Sequence, residues 1–301
     1  ARSLYELMGD VSDVPPGLHL VAALTGFTDS GAAVAQVTTL LRGSANEREL
    51  AVFDNDALLD YRARRPVMFF DEDHLADYQP ARLVLSLAHD ELDRPFLLLT
   101  GYEPDFRWEA FTRAVLDLVD LFQAADTTWV HAIPMPTPHT RPIGVTVSGN
   151  RPELIDAYSV WRPRTQVPGN VLHLVEYRLQ RSGHPIAGFV LLVPHYLDDT
   201  EYPLAAVTAL ESVSSATGLI FPSDELREQG RAFIQKVEEQ VSGNSELERL
   251  VAALEERHDS YMQENPLPSP LVDEDGELPS ADTIAAELER FLASRRDEPR
   301  A

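Results

Sequence analysis

The chain has 301 residues, of which 44% are hydrophobic, so it can form one large core or a core with an appendage. Its net charge of −24 disfavours long-range attraction to nucleic acid phosphates or to an anionic membrane. The sequence contains no cysteine, which excludes disulfides, thiolate catalysis and zinc–cysteine sites.

The first two-thirds of the chain alternate short apolar runs with amphipathic stretches. A strand is predicted at residues 18–24, and a helix follows from Ser30 through Leu41. Further strand candidates lie at residues 49–53, 67–70, 83–88 and 96–100. The link between the last two strands has eight residues, which is too short for a helical crossover, so that pair is predicted to be antiparallel.

A helix capped by Asp105 is predicted next, because apolar residues recur at helical spacing from Phe111 to Phe122. The remaining elements are predicted as strands at residues 127–133, 143–147 and 187–193 and as helices at residues 170–181 and 203–216. Alternating β and α elements indicate a layered α/β domain with a mixed, largely parallel sheet, spanning residues 1–222.

After Pro222 the sequence contains no convincing strand, and its pattern changes to helical stripes. Residues 223–263 are predicted to form a helical extension whose first stripe, at residues 226–241, packs on the chain's own core. Ser245 and Glu248 fit a capping box at the start of its second helix. A proline-rich acidic linker is predicted at residues 264–280, and a terminal helix at residues 281–301.

A turn with two glycines links the first predicted strand to its helix. Backbone N–H groups at such a position can hold an anion, which makes Gly26, Asp29, Ser30 and Gly31 an anion-binding candidate. The turn lacks the G-x-G-x-x-G pattern and the lysine of a P-loop. A tight βα turn with Asp29 or Ser30 as the helix cap is the favoured interpretation.

A dense acidic and basic segment follows residue 53. Asp54, Asp56 and Asp60 could chelate Mg²⁺ or Ca²⁺, but their spacing does not reproduce a calcium-binding loop. Arginines follow at once, and we expect Arg62 and Arg65 to pair with these carboxylates or with Glu103. A salt-linked structural loop is therefore predicted, with no metal site.

Four side chains on later loops could carry catalysis if the fold brought them into one pocket. Glu103 could act as a general base if buried, or could bind arginines or a helix N-terminus. His139 and Arg141 lie between two prolines on a stiff loop and could bind an anion or move protons. His195 follows a strand end. No nucleophile elbow or zincin motif is present.

Together, these motifs resemble the proteasome assembly chaperone 2 family, in its actinobacterial-type branch. The resemblance covers about residues 15–262. Its motif residues include Asp60, Tyr61, Arg62 and Arg65, Gly101 with Trp108, the Pro138-His139-Thr140-Arg141-Pro142 loop, Tyr196, and Glu255 with Asp259. It implies a three-layer α/β/α fold of the phosphorylase/hydrolase-like type, followed by helices, and assembly into a homo-oligomer, with a trimer as the expected state.

Two functions follow as hypotheses. The first is a non-catalytic protein-binding module that binds copies of itself and proteasome-related proteins, without a cofactor, nucleic acid or membrane. The alternative is a hydrolase or phosphorylase acting on a small anionic or nucleoside-like substrate. No apolar stretch approaches the ~20 residues that span a bilayer. The start of the sequence lacks a signal-peptide pattern, so a cytoplasmic location is expected.

Overall fold

The computed structural model of the protein describes residues 3–43 and 47–267. Its strands are β1 (Tyr5–Leu7), β2 (His19–Thr25), β3 (Arg48–Phe53), β4 (Val67–Asp71), β5 (His74–Gln79), β6 (Val84–His89), β7 (Pro95–Tyr102), β8 (Asp126–Met135), β9 (Gly144–Gly149) and β10 (Ile186–Pro194). Its helices are α1 (Ala33–Arg42), α2 (Asn55–Leu58), α3 (Trp108–Leu121), α4 (Pro152–Tyr158), α5 (Val171–Ser182), α6 (Pro203–Thr217), α7 (Asp224–Ser242) and α8 (Ser245–Glu264).

Eight strands form one mixed sheet in the order β1-β3-β6-β7-β2-β8-β10-β9. The four central strands, β7, β2, β8 and β10, run parallel, and the flanking pairs are antiparallel. The predicted antiparallel pairing of residues 83–88 with residues 96–100 is confirmed, as β6 with β7. Buried parallel strands need apolar side chains on both faces, which explains why nearly every residue of β10 is buried.

Helices cover both faces of this sheet. On one face, α1, α6 and α7 pack over a core that includes Val37, Phe189 and Val213. On the other face, α3 and α5 pack over a second core that includes Phe111 and Leu172. The predicted three-layer α/β/α architecture with a helical C-terminal region is therefore confirmed.

The C-terminal helices extend the first of these layers. Val237 of α7 is buried, and the ring of Phe233 lies 5.2 Å from that of Tyr202. Gly230 sits so close to α6 that a Cβ atom there would meet Leu204 at 2.4 Å. The prediction that residues 226–241 pack on the chain's own core is confirmed. The predicted terminal helix, and the predicted linker beyond residue 267, lie outside the described residues.

Two predicted helix caps are wrong. Helix α3 begins at Trp108, and the carboxylate of Asp105 binds Arg64 and the amide of Asp60 instead of capping the helix. Helix α8 is capped by the side chain of Asn244, which accepts from two backbone amides, so Ser245 is already its first residue. At α8 the neighbouring Asn244 takes the capping role, whereas at α3 the Asp105 carboxylate is engaged elsewhere and no side chain caps the helix.

The predicted strand at residues 67–70 forms outside the main sheet. It is β4, which pairs only with β5, and every residue of both strands is exposed. Among residues 3–43 and 47–267, no helix has both the length and the apolar character that crossing a bilayer requires.

Candidate functional site

The loops that follow the parallel strands share one edge of the sheet. Two groups of polar side chains lie on these loops and on neighbouring elements, and no hydrogen bond or ion pair among the described residues joins one group to the other. We call Arg64, Glu103 and Asp105 the Arg64 cluster. We call Thr140, Arg141, Glu255 and Asp259 the α8 latch.

Arg64 organises the first group. Its Nη2 atom donates to the backbone carbonyl of Glu103 at 2.7 Å and pairs with the carboxylate of Asp105. Its guanidinium also lies 5.2 Å from the centre of the Tyr102 ring. The arginine thereby ties the loop after α2 to the end of β7.

The prediction that Arg62 and Arg65 form the ion pairs of this loop is wrong, because Arg64 forms the pair. Arg62 and Arg65 are exposed and make no ion pair within the described part of the chain. The carboxylate of Asp60 accepts from the amide of Arg62 at 2.9 Å, while the Asp60 carbonyl accepts from the amide of Arg64. This turn directs Arg64 inward and leaves its two neighbours in solvent.

Glu103 contacts the N-terminus of α5. The amide of Val171 donates to its Oε1 atom at 2.7 Å, so the carboxylate holds a helix start by hydrogen bond and by helix dipole. Burial raises the pKa of Glu103, and the Val171 amide and Arg64 oppose that effect. Of the roles that the sequence left open for Glu103, the structure shows this one.

His131, which sequence reasoning did not select as a site residue, lies beside Glu103. Both line a small cavity at the end of the parallel strands, and the imidazole stacks on Phe27 with 5.9 Å between ring centres. Its Nε2 atom is buried and has no hydrogen-bond partner in the described residues. Burial, and to a lesser degree His173, lowers the pKa of His131 to about 4.

The glycine-containing turn after β2 already holds an anionic group of the chain itself. The carboxylate of Asp29 accepts from the amides of Val34 and Ala35 at 2.8 and 3.0 Å. Ser30 donates to the carboxylate of Asp198 at 2.5 Å, and the amide of Gly31 donates to the Asp198 carbonyl. These contacts match the tight βα turn. Because several amides of this turn already bind groups of the chain itself, the binding of an external anion at Gly26–Gly31 stays a prediction that these contacts do not favour.

The acidic residues of the next loop are also engaged. The carboxylate of Asp54 accepts from the amide of Asp56. The carboxylate of Asp56 accepts from the hydroxyl of Tyr61 at 3.0 Å. Each carboxylate therefore stabilises the local turn. No group of three or more potential metal ligands occurs within residues 3–43 and 47–267.

The α8 latch joins the loop between β8 and β9 to α8. Arg141 binds Asp259 in a bidentate pair, with distances of 2.9 Å from Nε and 2.7 Å from Nη2. Its Nη1 atom donates to Glu255 at 3.2 Å, and Thr140 donates to the same carboxylate oxygen at 2.5 Å. Hydrogen bonding to Arg141 holds the pKa of the Asp259 carboxyl well below its ordinary value.

His139 is occupied by a neighbouring loop. The hydroxyl of Tyr196 accepts from the His139 amide at 2.7 Å and lies 2.7 Å from its Nδ1 atom. Burial lowers the pKa of His139, which favours the neutral imidazole. Its Nδ1 atom can then accept a hydrogen bond from the Tyr196 hydroxyl. Tyr196 therefore acts as a brace for the latch loop. His195 next to it is exposed and makes no side-chain hydrogen bond in the described residues.

The four candidate catalytic residues do not meet. Glu103 binds α5, whereas His139 and Arg141 bind Tyr196 and α8, and no hydrogen bond or ion pair joins the two sets. A cavity of about 910 Å³ opens under α8, and none of the four lines it. The geometry does not favour the hydrolase or phosphorylase hypothesis.

Two further motif residues are explained by packing. A Cβ atom at Gly101 would lie 2.2 Å from the carbonyl oxygen of Arg82, so only glycine fits there. The indole of Trp108 donates to the carbonyl of Pro104 at 2.6 Å and fixes the loop that enters α3. Both residues support the position of the Arg64 cluster.

The sequence profile of the PAC2 family matches residues 23–241, which is most of the fold described above. The chain belongs to the PAC2 family. A search of curated proteins finds no significant match.

Three solved structures are similar to this chain. A Corynebacterium glutamicum protein of unknown function is 34% identical, with a TM-score of 0.83 over 87% of this chain and 99% of that one. A Mycobacterium tuberculosis protein of unknown function is 38% identical, with a TM-score of 0.79 over 87% and 93%. A proteasome-assembly chaperone homologue of M. tuberculosis is 25% identical, with a TM-score of 0.71 over 78% and 100%.

One surface of this PAC2 protein was missed by sequence reasoning. The β4–β5 hairpin exposes six large apolar or aromatic side chains to 46–65% of their full area: Val67, Met68, Phe69, Phe70, Leu75 and Tyr78. Contiguous apolar patches of this kind mark contact surfaces, because leaving them in water is unfavourable. The apolar run at residues 67–70 predicted a strand but not the absence of a covering layer.

Proposed function

We propose that the protein is a non-catalytic protein-binding module of the assembly-chaperone type. The observation that carries this proposal is the exposed apolar β4–β5 hairpin, found on a protein in which three of the four candidate catalytic side chains, Glu103, His139 and Arg141, are used in internal contacts. Membership of the PAC2 family and the 25% identity to a proteasome-assembly chaperone homologue support the same role.

The first partner that we propose is a second copy of the chain. An isolated two-stranded hairpin is marginally stable in water, so burial of this hairpin against a partner would stabilise it. A net charge of −24 opposes association of identical chains, and an apolar patch of large side chains is what can outweigh that repulsion. We therefore propose a homo-oligomer assembled through the hairpin, a trimer by the family resemblance.

Proteasome-related proteins are the second class of partner. The M. tuberculosis relative is described as a proteasome-assembly chaperone homologue, and this chain shares its fold over 78% of its own length. A cytoplasmic location and independence from any cofactor are parts of the same proposal. Neither a nucleic acid nor a membrane is proposed as a partner, since the chain is strongly acidic.

Light scattering after size-exclusion chromatography tests the self-association. We expect the full chain at micromolar concentration to have the mass of an oligomer and Phe69→Thr/Phe70→Thr to have the mass of a monomer. Threonine keeps strand propensity while removing the aromatic area. Phe106→Thr, which changes an exposed phenylalanine outside the hairpin, should leave the mass unchanged. A monomeric wild-type chain would refute the proposed oligomer.

A further inference from the structure

The cavity under α8 has the size of a ligand site. Its volume is about 910 Å³, and ligand pockets in proteins commonly enclose ~300–1,000 Å³. Strands β8 and β9 form its floor, α4 and the segment after it form one wall, α6 forms the other wall, and α8 forms the roof. The hairpin residues take no part in it, so this site is separate from the proposed oligomer surface.

The side chains that line the cavity are suited to an apolar ligand. Aromatic and sulfur-containing side chains line much of the surface: Met135, Tyr158, Trp161, Tyr261 and Met262. The hydroxyls of Thr208 and Ser212 donate to carbonyls of their own helix at 2.9 and 2.8 Å. These two hydroxyls already have partners and offer little to a polar ligand, so the aromatic and sulfur-containing side chains favour hydrocarbon or aromatic surface.

The wall that holds Trp161 is fixed in place. The amide of Val160 donates to the carbonyl of Val145 at 2.9 Å, and the hydroxyl of Ser159 accepts from the amide of Val147 on the same strand at 3.0 Å. A Cβ atom at Gly144 would lie 2.6 Å from Val160, which shows how closely this segment approaches β9. A wall that is ordered before binding lowers the entropy that a ligand must overcome.

One cation at the rim has no counter-ion in the part of the chain that the structure describes. Arg257 lines the cavity and makes no ion pair within residues 3–43 and 47–267. Two other lining side chains that can carry charge are engaged, because Glu211 pairs with Arg227 and His258 with Asp259. An anionic group on a ligand could form an ion pair with the Arg257 guanidinium.

We propose that the α8 cavity binds an apolar molecule that carries a single anionic group, such as a medium-chain carboxylate. The hydrocarbon lies against Trp161, Tyr158 and Met135, and the carboxylate meets Arg257. The roof is held by the α8 latch, so the ligand contacts a helix whose position the latch sets. Residues 268–301 follow directly after Leu267, which also lines the cavity, and they are the competing occupant in the test.

Isothermal titration of the full chain with laurate, below its micelle concentration, tests the site. We expect saturable binding of one laurate per chain, with 1-dodecanol and dodecylamine binding more weakly. Arg257→Met should weaken laurate binding roughly tenfold while leaving 1-dodecanol unaffected, since one charge-assisted contact is lost. Arg249→Met, which removes an exposed arginine of the same helix outside the cavity, is the matched control.

A second variant fills the cavity instead of removing its charge. Ala157 is an exposed lining residue, so the Ala157→Trp variant should fold and lose laurate binding. The control Ala35→Trp, at an exposed position of α1 outside the cavity, should leave laurate binding unchanged. Absence of laurate binding to the folded full chain would overturn the proposal, and would fit occupation by residues 268–301. Binding that survives Ala157→Trp, or that is equal for laurate and dodecylamine, would overturn it as well.

Discussion

The buried imidazole of His131 makes stability depend on pH in a way that can be calculated. Burial lowers its pKa to about 4 from an ordinary 6.5. Above pH 6.5 the ring is neutral in both the folded and the unfolded chain. As the pH falls from 6.5 towards 4, the unfolded chain binds a proton that the folded chain does not, so the free energy of unfolding decreases. At ~1.4 kcal/mol per pKa unit, the loss contributed by His131 reaches ~3 kcal/mol by pH 4.

Replacement of His131 with leucine tests this reasoning. The variant should lose less stability than the wild type between pH 6.5 and pH 4.5, by ~2–3 kcal/mol, because no proton binds at this position in either state. Urea unfolding at four pH values, followed by circular dichroism, measures the difference. His74→Gln changes an exposed histidine of the hairpin and should follow the wild-type curve. Parallel curves for His131→Leu and the wild type would refute the assigned burial.

Two further predictions concern the ion pairs. Arg64→Met should lower the free energy of unfolding by roughly 2 kcal/mol, below the full cost of breaking a buried pair because Arg64 is partly exposed, whereas Arg65→Met should unfold like the wild type. Equal urea midpoints for the two variants would contradict the role of Arg64. Arg141→Met should accelerate hydrogen exchange in α8 while α1 keeps its protection, and Arg249→Met should leave both unchanged. Unaltered exchange in Arg141→Met would show that the latch does not hold the helix.

The architecture was predictable because local patterns determine it. Apolar runs and helical spacing located every central strand and the principal helices, and the length of one link gave the direction of β6 against β7. The family resemblance was confirmed by the profile match. The start of α5 at Asn170 also follows from a local signal, since an asparagine cap satisfies the first amides of a helix.

The polar contacts were less predictable because they depend on competition between neighbours. Choosing Arg64 over Arg62 and Arg65 requires the geometry of the turn at Asp60, which no spacing rule supplies. Arg141 and Asp259 are 118 residues apart, so their pairing depends on how α8 returns over the sheet. The sequence likewise predicts that residues 67–70 form a strand, but whether another layer covers them is a property of the whole fold and its assembly.

The most direct test of the protein-binding role is native mass spectrometry of the chain, alone and mixed with proteasome subunits from the same organism. We expect the wild type to form an oligomer and to retain proteasome subunits in a defined complex. Phe69→Thr/Phe70→Thr should lose the oligomer, and Phe106→Thr should keep it. A wild-type chain that remains monomeric and leaves every proteasome subunit free would refute the protein-binding role.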